Sequence, residues 1–85
     1  MKWYVYFLRS LIKKNWIYVG STNDLERRLK EHNSKKVLAT KAYLPYSMIY
    51  TEQFDNEYEA RQRERYFKYW KGRIEKKKIL NRLLK

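Results

Sequence analysis

The sequence predicts an α+β fold in which helices flank a three-stranded antiparallel sheet, in the order β-β-α-β-α-α. The chain has 85 residues, the size of a single domain. It contains 9 tyrosines, 3 tryptophans and 3 phenylalanines but no cysteine, so large apolar side chains, rather than disulfides or thiolate-bound metal, must build the core. Short runs rich in aromatic and β-branched residues alternate with charged segments that carry apolar residues four positions apart. These two patterns are typical of strands and amphipathic helices.

Three short apolar runs predict the strands. Residues 2–8 and 16–20 are too short for ordinary helices, and the polar connection between them favours an antiparallel hairpin. A third strand is predicted at 46–54, directly after Pro45, where the missing amide hydrogen does least harm to a sheet.

The first helix is predicted over residues 25–33. The segment 21–24 offers serine, threonine, asparagine and aspartate as its N-cap, and Leu25 and Leu29 form one apolar stripe.

Two further helices follow the third strand. Asn56 and Glu59 resemble a capping box that opens a helix over 57–71, and Gly72 suits its C-cap. A last short helix is predicted over 74–84. The whole chain, residues 1–85, is therefore expected to form one domain.

The charge distribution indicates a polyanionic partner. The formal net charge is +12, with +7 in residues 1–42, −4 in 43–60 and +9 in 61–85. This predicts nucleic acid before anionic lipid. Because the sequence has neither a spanning apolar stretch nor a signal peptide, and no cysteine, we expect a cytoplasmic protein without a membrane partner.

Glu64 is out of place in its helix. It lies between Ala60 and Phe67 on the apolar stripe, which we expect to continue to Trp70. An unpaired buried carboxylate is costly, so Glu64 either pairs with a neighbouring cation, reaches the edge of the core, or binds a metal in a cleft.

Arg28 and His32 lie four apart and share one face of the first helix. His32 is the only histidine. It is either a solvated surface residue or a proton shuttle beside an arginine that binds a phosphate through two parallel hydrogen bonds. Tyr4 and Tyr6 share a face of the first strand, where packing is the default role. A phenol with a pKa near ~10 is a poor base, although a dication and an arginine nearby would lower that pKa.

In combination, these segments resemble the GIY-YIG nuclease domain, and more closely the small single-domain GIY-YIG proteins of bacteria. The matching segments are Tyr4-Val5-Tyr6, Tyr18-Val19-Gly20, Leu25-x-x-Arg28-x-x-x-His32-Asn33 and Glu59-Ala60-x-x-x-Glu64-x-x-x-Lys68. The resemblance runs from about residue 2 to 80.

The resemblance implies specific roles. Tyr6 and Tyr18 would line the scissile phosphate and the attacking water, and Gly20 would let the backbone approach the site. Arg28 would stabilise charge on the phosphate, His32 matches a position that is histidine or tyrosine in many members, and Glu64 matches the single metal-binding glutamate. The sequence departs from the family pattern in several places: Tyr4 replaces the first glycine, Val5 and Val19 replace isoleucine in the two half-motifs, and Ser21 replaces a lysine found in the excision-repair branch.

The predicted function is therefore hydrolysis of phosphodiester bonds, assisted by one Mg²⁺ or Mn²⁺ held by Glu64. DNA is favoured over RNA, and a role in DNA repair or nucleic-acid processing is expected. Contacts to phosphates without sequence preference are expected from Lys35, Lys36, Lys41, Arg61, Arg65, Lys68 and Lys71.

Two alternatives remain open. The chain could be a non-catalytic nucleic-acid-binding module with the same fold. It could also be a small interaction protein, a homodimer whose aromatic surface binds a partner. For the nuclease, specificity is expected from the short loops, from a homodimer or from a partner protein.

Overall fold

A computed structural model describes residues 1–84, and Lys85, at the end of the predicted basic segment, lies outside the described residues. The elements are β1 (Trp3–Ser10), β2 (Ile17–Thr22), α1 (Leu25–Asn33), a 3₁₀ helix (Leu38–Tyr43), β3 (Tyr46–Phe54), α2 (Glu57–Phe67) and α3 (Trp70–Leu83). This confirms the predicted α+β fold and element order, with the 3₁₀ helix added. Within residues 1–84, no helix combines the length and apolar character needed to cross a bilayer.

β1 is the central strand of the described sheet, whose order is β2-β1-β3 with antiparallel pairing on both sides. Since neighbours flank β1 on both edges and helices cover both faces, residues 5–8 are fully buried. The pairing with β3 shifts register between Phe7 and Leu8. β2 is an edge strand, which becomes important for the site.

Alternation along β1 divides the core into two halves. Val5 and Phe7 face α2 and α3, where they pack with Ala60, Phe67 and Ile79. On the opposite face, Tyr6 and Leu8 form a second cluster with Tyr46, closed by partly buried Leu25 and Leu29 of α1.

The predicted starts of α1 and α2 are confirmed by their caps. The side chain of Asp24 accepts a hydrogen bond from the backbone N–H of Arg27 at 3.0 Å. The side chain of Asn56 likewise accepts from the backbone N–H of Glu59 at 2.9 Å. Both bonds satisfy amides of the first turn that have no partner within the helix.

The predicted end of α2 is wrong. The helix ends at Phe67 instead of continuing to residue 71, and Gly72 lies inside α3 instead of serving as a C-cap. A Cβ at Gly72 would lie 1.7 Å from the backbone oxygen of Tyr66. Glycine is therefore needed for the close approach of the two helices. Trp70 also leaves the apolar stripe, since its surface is 75% exposed.

Arg63 connects three elements on the α2 and α3 side of the sheet. Its guanidinium donates to both carboxylate oxygens of Glu52 on β3, at 2.8 and 3.1 Å, and also to Glu75 on α3. The side chains of Arg63 and Glu52 are only 26% and 17% exposed. This network holds α3 against the sheet and lies apart from the cleft described next.

Candidate active site

A cleft of about 320 Å³ opens along β2 and contains most of the predicted site residues. Its lining includes Tyr6, Tyr18, Gly20, Arg28 and Glu64. The other lining residues are Trp3, Ser21, Thr22, Asn23, Arg27 and Arg61. The structure thus brings together predicted site residues that are up to 58 positions apart in the sequence, from Tyr6 to Glu64.

The cleft extends around the edge of the sheet. Gly20 pairs with Tyr6 and Ser21 pairs with Val5, so neighbouring residues of β2 present their side chains to opposite faces. Tyr6 belongs to the α1 face, whereas Ser21 hydrogen-bonds to Glu64 of α2. Because β2 has no strand outside it in the described sheet, groups from both faces can meet across its edge.

Gly20 leaves the space that the two phenols occupy. A Cβ at this position would lie 2.4 Å from Tyr6 Oη and 3.0 Å from Tyr18 Cε2. Any side chain at residue 20 would therefore displace at least one of the tyrosines. The resemblance assigns Gly20 to close backbone approach; the structure identifies these two side chains as the groups that approach it.

His32 lies behind Tyr6, fully buried, and does not line the cleft. Its Nε2 is 2.8 Å from Tyr6 Oη and its Nδ1 is 2.8 Å from Thr40 Oγ1. The alternative that His32 is solvated surface is therefore wrong. Burial, together with the positive charge of Arg28, lowers the pKa of His32 to about 4, so the imidazole is neutral at pH 7.

Tyr6 is held as a neutral phenol. Burial raises its pKa to about 12, although the hydrogen bond and charge of Arg28 act in the opposite direction. The expected lowering by a nearby arginine is thus present, but desolvation outweighs it. The Nε of Arg28 lies 3.4 Å from Tyr6 Oη, at the long end of hydrogen-bond distance.

Arg28 is positioned by Glu31 of the same helix, whose Oε1 accepts from Nη1 at 2.9 Å. The Arg28 side chain is about one third exposed. Burial opposes its charge, but the hydrogen bonds with Glu31 and Tyr6 raise its pKa above the ordinary value. A fixed, charged guanidinium therefore points at the cleft beside the buried phenol.

The sequence predicts that Glu64 either pairs with a cation, reaches the edge of the core, or lies in a cleft. In the structure Glu64 lines the cleft and also pairs with Lys68. Its Oε1 accepts from Ser21 Oγ at 2.5 Å and its Oε2 accepts from Lys68 Nζ at 2.8 Å. The Glu64 side chain is 20% exposed, so the carboxylate is within reach of a ligand in the cleft.

Among the described residues, Glu64 is the one carboxylate in the lining of the cleft, and it could hold a hard divalent cation as the single protein ligand. Within residues 1–84, no group of three or more histidine, cysteine, aspartate or glutamate side chains could enclose a metal. Mg²⁺ commonly keeps several waters and takes only one or two protein carboxylates together with phosphate oxygens. Glu64 could serve in this way once Lys68 turns toward a phosphate.

The predicted nucleic-acid contacts fall into two groups. Arg61, Arg65 and Lys68 surround a second cavity of about 220 Å³ with Glu64, and Arg61 lines both cavities. The remaining four are exposed but line neither cavity: Lys35, Lys36, Lys41 and Lys71. Only the first group is therefore placed beside the cleft.

Several site residues were not predicted from the sequence. Ser21 was noted only as a departure from the family pattern, yet it holds Glu64. Arg27 also lines the cleft, and the available signal was its position next to Arg28. Thr40 gave no local signal, because only the fold brings the 3₁₀ helix against His32.

Comparison with known proteins identifies the same domain. Residues 2–78 match the family model described as the GIY-YIG catalytic domain. A UPF0213 protein of Bacillus velezensis is 42% identical over 64 residues, which cover 74% of this chain and 65% of that protein. A UPF0213 protein of Streptococcus pyogenes serotype M3 is 40% identical over 76 residues, with coverages of 88% and 80%.

The fold also resembles a solved structure. The solution NMR structure of the UPF0213 protein BH0048 from Bacillus halodurans has a TM-score of 0.57 and 29% identity, and the match covers 99% of this chain and 88% of that chain. The chain spans slightly less than two thirds of the length of the Bacillus velezensis relative. Because the family model covers most of the sequence, this chain belongs to the GIY-YIG nuclease family.

Proposed function

We propose that this protein is a divalent-metal-dependent nuclease that hydrolyses internal phosphodiester bonds of DNA, as part of nucleic-acid processing or repair in the cytoplasm. The observation that supports the proposal most strongly is the convergence of Tyr6, Tyr18, Arg28 and Glu64 on one cleft at the edge of the sheet. A phosphate placed there would meet a guanidinium on one side and a carboxylate on the other.

Arg28 and the cations around the cleft would bind the substrate. Arg28 would stabilise the negative charge that develops on the phosphate, because its guanidinium is already oriented by Glu31. Arg61, Arg65 and Lys68 would bind neighbouring phosphates without reading the base sequence. The Lys68 ammonium would exchange Glu64 for a phosphate oxygen when the substrate binds.

Tyr6 and His32 would remove a proton from the attacking water. The pKa of Tyr6 is about 12 and that of His32 about 4. At 1.36 kcal/mol for each pKa unit, full transfer of the phenolic proton in the resting site would cost roughly 10 kcal/mol. The transfer must therefore accompany attack: Tyr6 Oη accepts the water proton while its own proton passes to His32 Nε2.

Tyr18 and Glu64 complete the arrangement. Tyr18 lies with its ring centroid 6.4 Å from that of Tyr6 and would orient the water or the phosphate. Glu64 would hold Mg²⁺ or Mn²⁺, which when bound supplies Lewis-acid polarisation of the phosphate. Ser21 would fix the orientation of the Glu64 carboxylate through its short hydrogen bond.

The test uses the purified protein with single-stranded, duplex and branched DNA and with RNA of the same sequences, with and without Mn²⁺. We expect metal-dependent cleavage that Glu64→Gln abolishes while DNA binding persists. Glu59→Gln is the matched control, because Glu59 is an exposed carboxylate on the same helix that does not line the cleft. Unchanged cleavage by Glu64→Gln would refute the catalytic assignment.

One observation favours the second candidate, a non-catalytic nucleic-acid-binding module. Both oxygens of Glu64 already have protein partners, Ser21 and Lys68, so the carboxylate is stable without a metal. If the wild type binds all of these nucleic acids in the presence of Mn²⁺ but cleaves none of them, the binding module is the correct function.

A further inference from the structure

Thr40 is the fourth side chain of a hydrogen-bonded chain that begins at the cleft. The chain runs from Arg28 Nε to Tyr6 Oη, from Tyr6 Oη to His32 Nε2, and from His32 Nδ1 to Thr40 Oγ1. It ends where Thr40 Oγ1 lies 3.3 Å from the backbone oxygen of Val37. Tyr6, His32 and Thr40 are each 0% exposed, so bulk solvent does not reach these side chains in the free protein.

Counting hydrogens sets the direction of every bond in this chain. Tyr6 Oη carries one hydrogen, and an arginine nitrogen can only donate. Of the two partners found for Tyr6 Oη among residues 1–84, only His32 Nε2 can therefore accept that hydrogen. A neutral imidazole whose Nε2 accepts must carry its hydrogen on Nδ1.

The other end of the chain agrees with this direction. His32 Nδ1–H donates to Thr40 Oγ1, and the hydroxyl hydrogen of Thr40 is then free for the carbonyl oxygen of Val37. The opposite tautomer would require Nε2–H to donate to Tyr6, leaving the buried phenolic hydrogen without an acceptor among the described residues. An unsatisfied buried donor costs about 1 to 3 kcal/mol.

We infer that Thr40 is a positioning residue that holds His32 as the Nδ1–H tautomer and thereby keeps Nε2 available to receive the Tyr6 proton. The use of that proton in hydrolysis rests on the proposed function, but the tautomer does not. The residue acts through His32 and does not itself line the cleft.

Thr40 is the group that hydrogen-bonds to His32 Nδ1 in the described residues. The ionisable groups that face the imidazole are Tyr6 and Tyr18 from the sheet and Arg28 and Glu31 from α1. Of these, only Tyr6 hydrogen-bonds to the ring in the described residues, and it does so at Nε2. The Nδ1 side is therefore controlled by the 3₁₀ helix alone.

The experiment is nitrogen NMR of protein labelled with ¹⁵N-histidine, recorded at pH 7. Because the sequence contains one histidine, the spectrum shows a single pair of ring nitrogens. We expect a protonated Nδ1 and an unprotonated Nε2 in the wild type. Thr40→Ser keeps the hydroxyl and should retain this pattern, whereas Thr40→Val removes it and should populate the Nε2–H form.

Ser10→Ala is the matched control for loss of a buried hydroxyl. Ser10 is also 0% exposed, and its Oγ donates to the Tyr43 carbonyl oxygen at 2.7 Å without contacting His32. Its histidine spectrum should equal that of the wild type. In cleavage assays, kcat of Thr40→Val should fall about tenfold at constant KM, and Thr40→Ser should restore it.

Protonated Nε2 in the wild type, or a wild-type tautomer in Thr40→Val, would overturn the inference. If Thr40→Val does not fold, the wild-type and Thr40→Ser spectra decide, because a different tautomer in either contradicts the role of the hydroxyl. If the wild type cleaves no nucleic acid, the proposed function fails, while the NMR result still tests the role of Thr40.

Discussion

Replacing Gly20 with alanine tests the geometry of the cleft directly. The added Cβ would lie 2.4 Å from Tyr6 Oη and 2.6 Å from Tyr6 Cζ. Since carbon and oxygen atoms pack at roughly 3.5 Å, the phenol must move by about 1 Å. The ring cannot rotate away freely, because Tyr6 is fully buried and its hydroxyl is bonded to His32 at 2.8 Å.

The expected loss follows from that displacement. Forcing an extra methyl group into packed surroundings costs about 1 to 3 kcal/mol in the free energy of unfolding. For a domain of this size, each kcal/mol corresponds to a decrease in Tm of roughly 4 to 8 °C. A displacement of about 1 Å at a reacting group can lower kcat about a hundredfold.

Thermal unfolding followed by circular dichroism and cleavage of a labelled oligonucleotide measure the two effects. Gly20→Ser should lose more than Gly20→Ala in both assays, because its Oγ adds a further atom beside the phenols. Wild-type Tm and kcat in Gly20→Ala, or equal losses in the two variants, would refute the explanation of Gly20 as a space for Tyr6.

Three further predictions concern pH, an ion pair and a helix junction. Since His32 has a pKa of about 4 when folded and near ~6.5 when unfolded, the unfolded state binds more protons between these values. The free energy of unfolding should therefore fall by up to about 3 kcal/mol as pH drops from 6.5 to 4. Urea titrations repeated across this pH range should show that the free energy of unfolding depends less on pH in His32→Gln than in the wild type. Arg63→Met should lower the free energy of unfolding by about 2 to 3 kcal/mol, since it leaves the largely buried Glu52 carboxylate without its cation and with only the Tyr50 hydroxyl as a partner; a change below about 0.5 kcal/mol would contradict the network. Gly72→Ala should be more destabilising than Gly20→Ala, because the clash is with backbone at Tyr66, and the histidine NMR spectrum of any folded fraction should match the wild type.

Local signals in the sequence predicted much of the fold. The bounds of α1 and β3 agree with the prediction, because a capping aspartate begins α1 and Pro45 precedes β3. β1 extends to Ser10 and β2 to Thr22, beyond the predicted ends, because pairing partners rather than composition decide where strands stop. The prediction of Gly72 as a C-cap is wrong because glycine is required there by the backbone carbonyl of Tyr66. That carbonyl comes close to residue 72 only after α2 and α3 pack.

The site was predictable in part. The order and spacing of Tyr6, Tyr18, Arg28 and Glu64 predicted a common cleft, and they line one. Their catalytic roles stay predictions. The burial of His32 was not predictable from helix periodicity, since the residue that covers Nδ1 lies eight positions away on a 3₁₀ helix that has no strong sequence signal.

The location of the cleft on an edge strand has a consequence for how the site is lost on heating. β2 contributes Tyr18, Gly20 and Ser21, yet within the described sheet it hydrogen-bonds only to β1. Segments bonded on one side open with less free energy than central strands, and their amides exchange with solvent sooner. Peeling of β2 would take Tyr18 away from the cleft and Ser21 away from Glu64 while the packing of β1 against α2 and α3 persists. Catalytic competence would then disappear at a temperature below the melting of the domain, and faster hydrogen exchange in β2 than in β1 would mark that step.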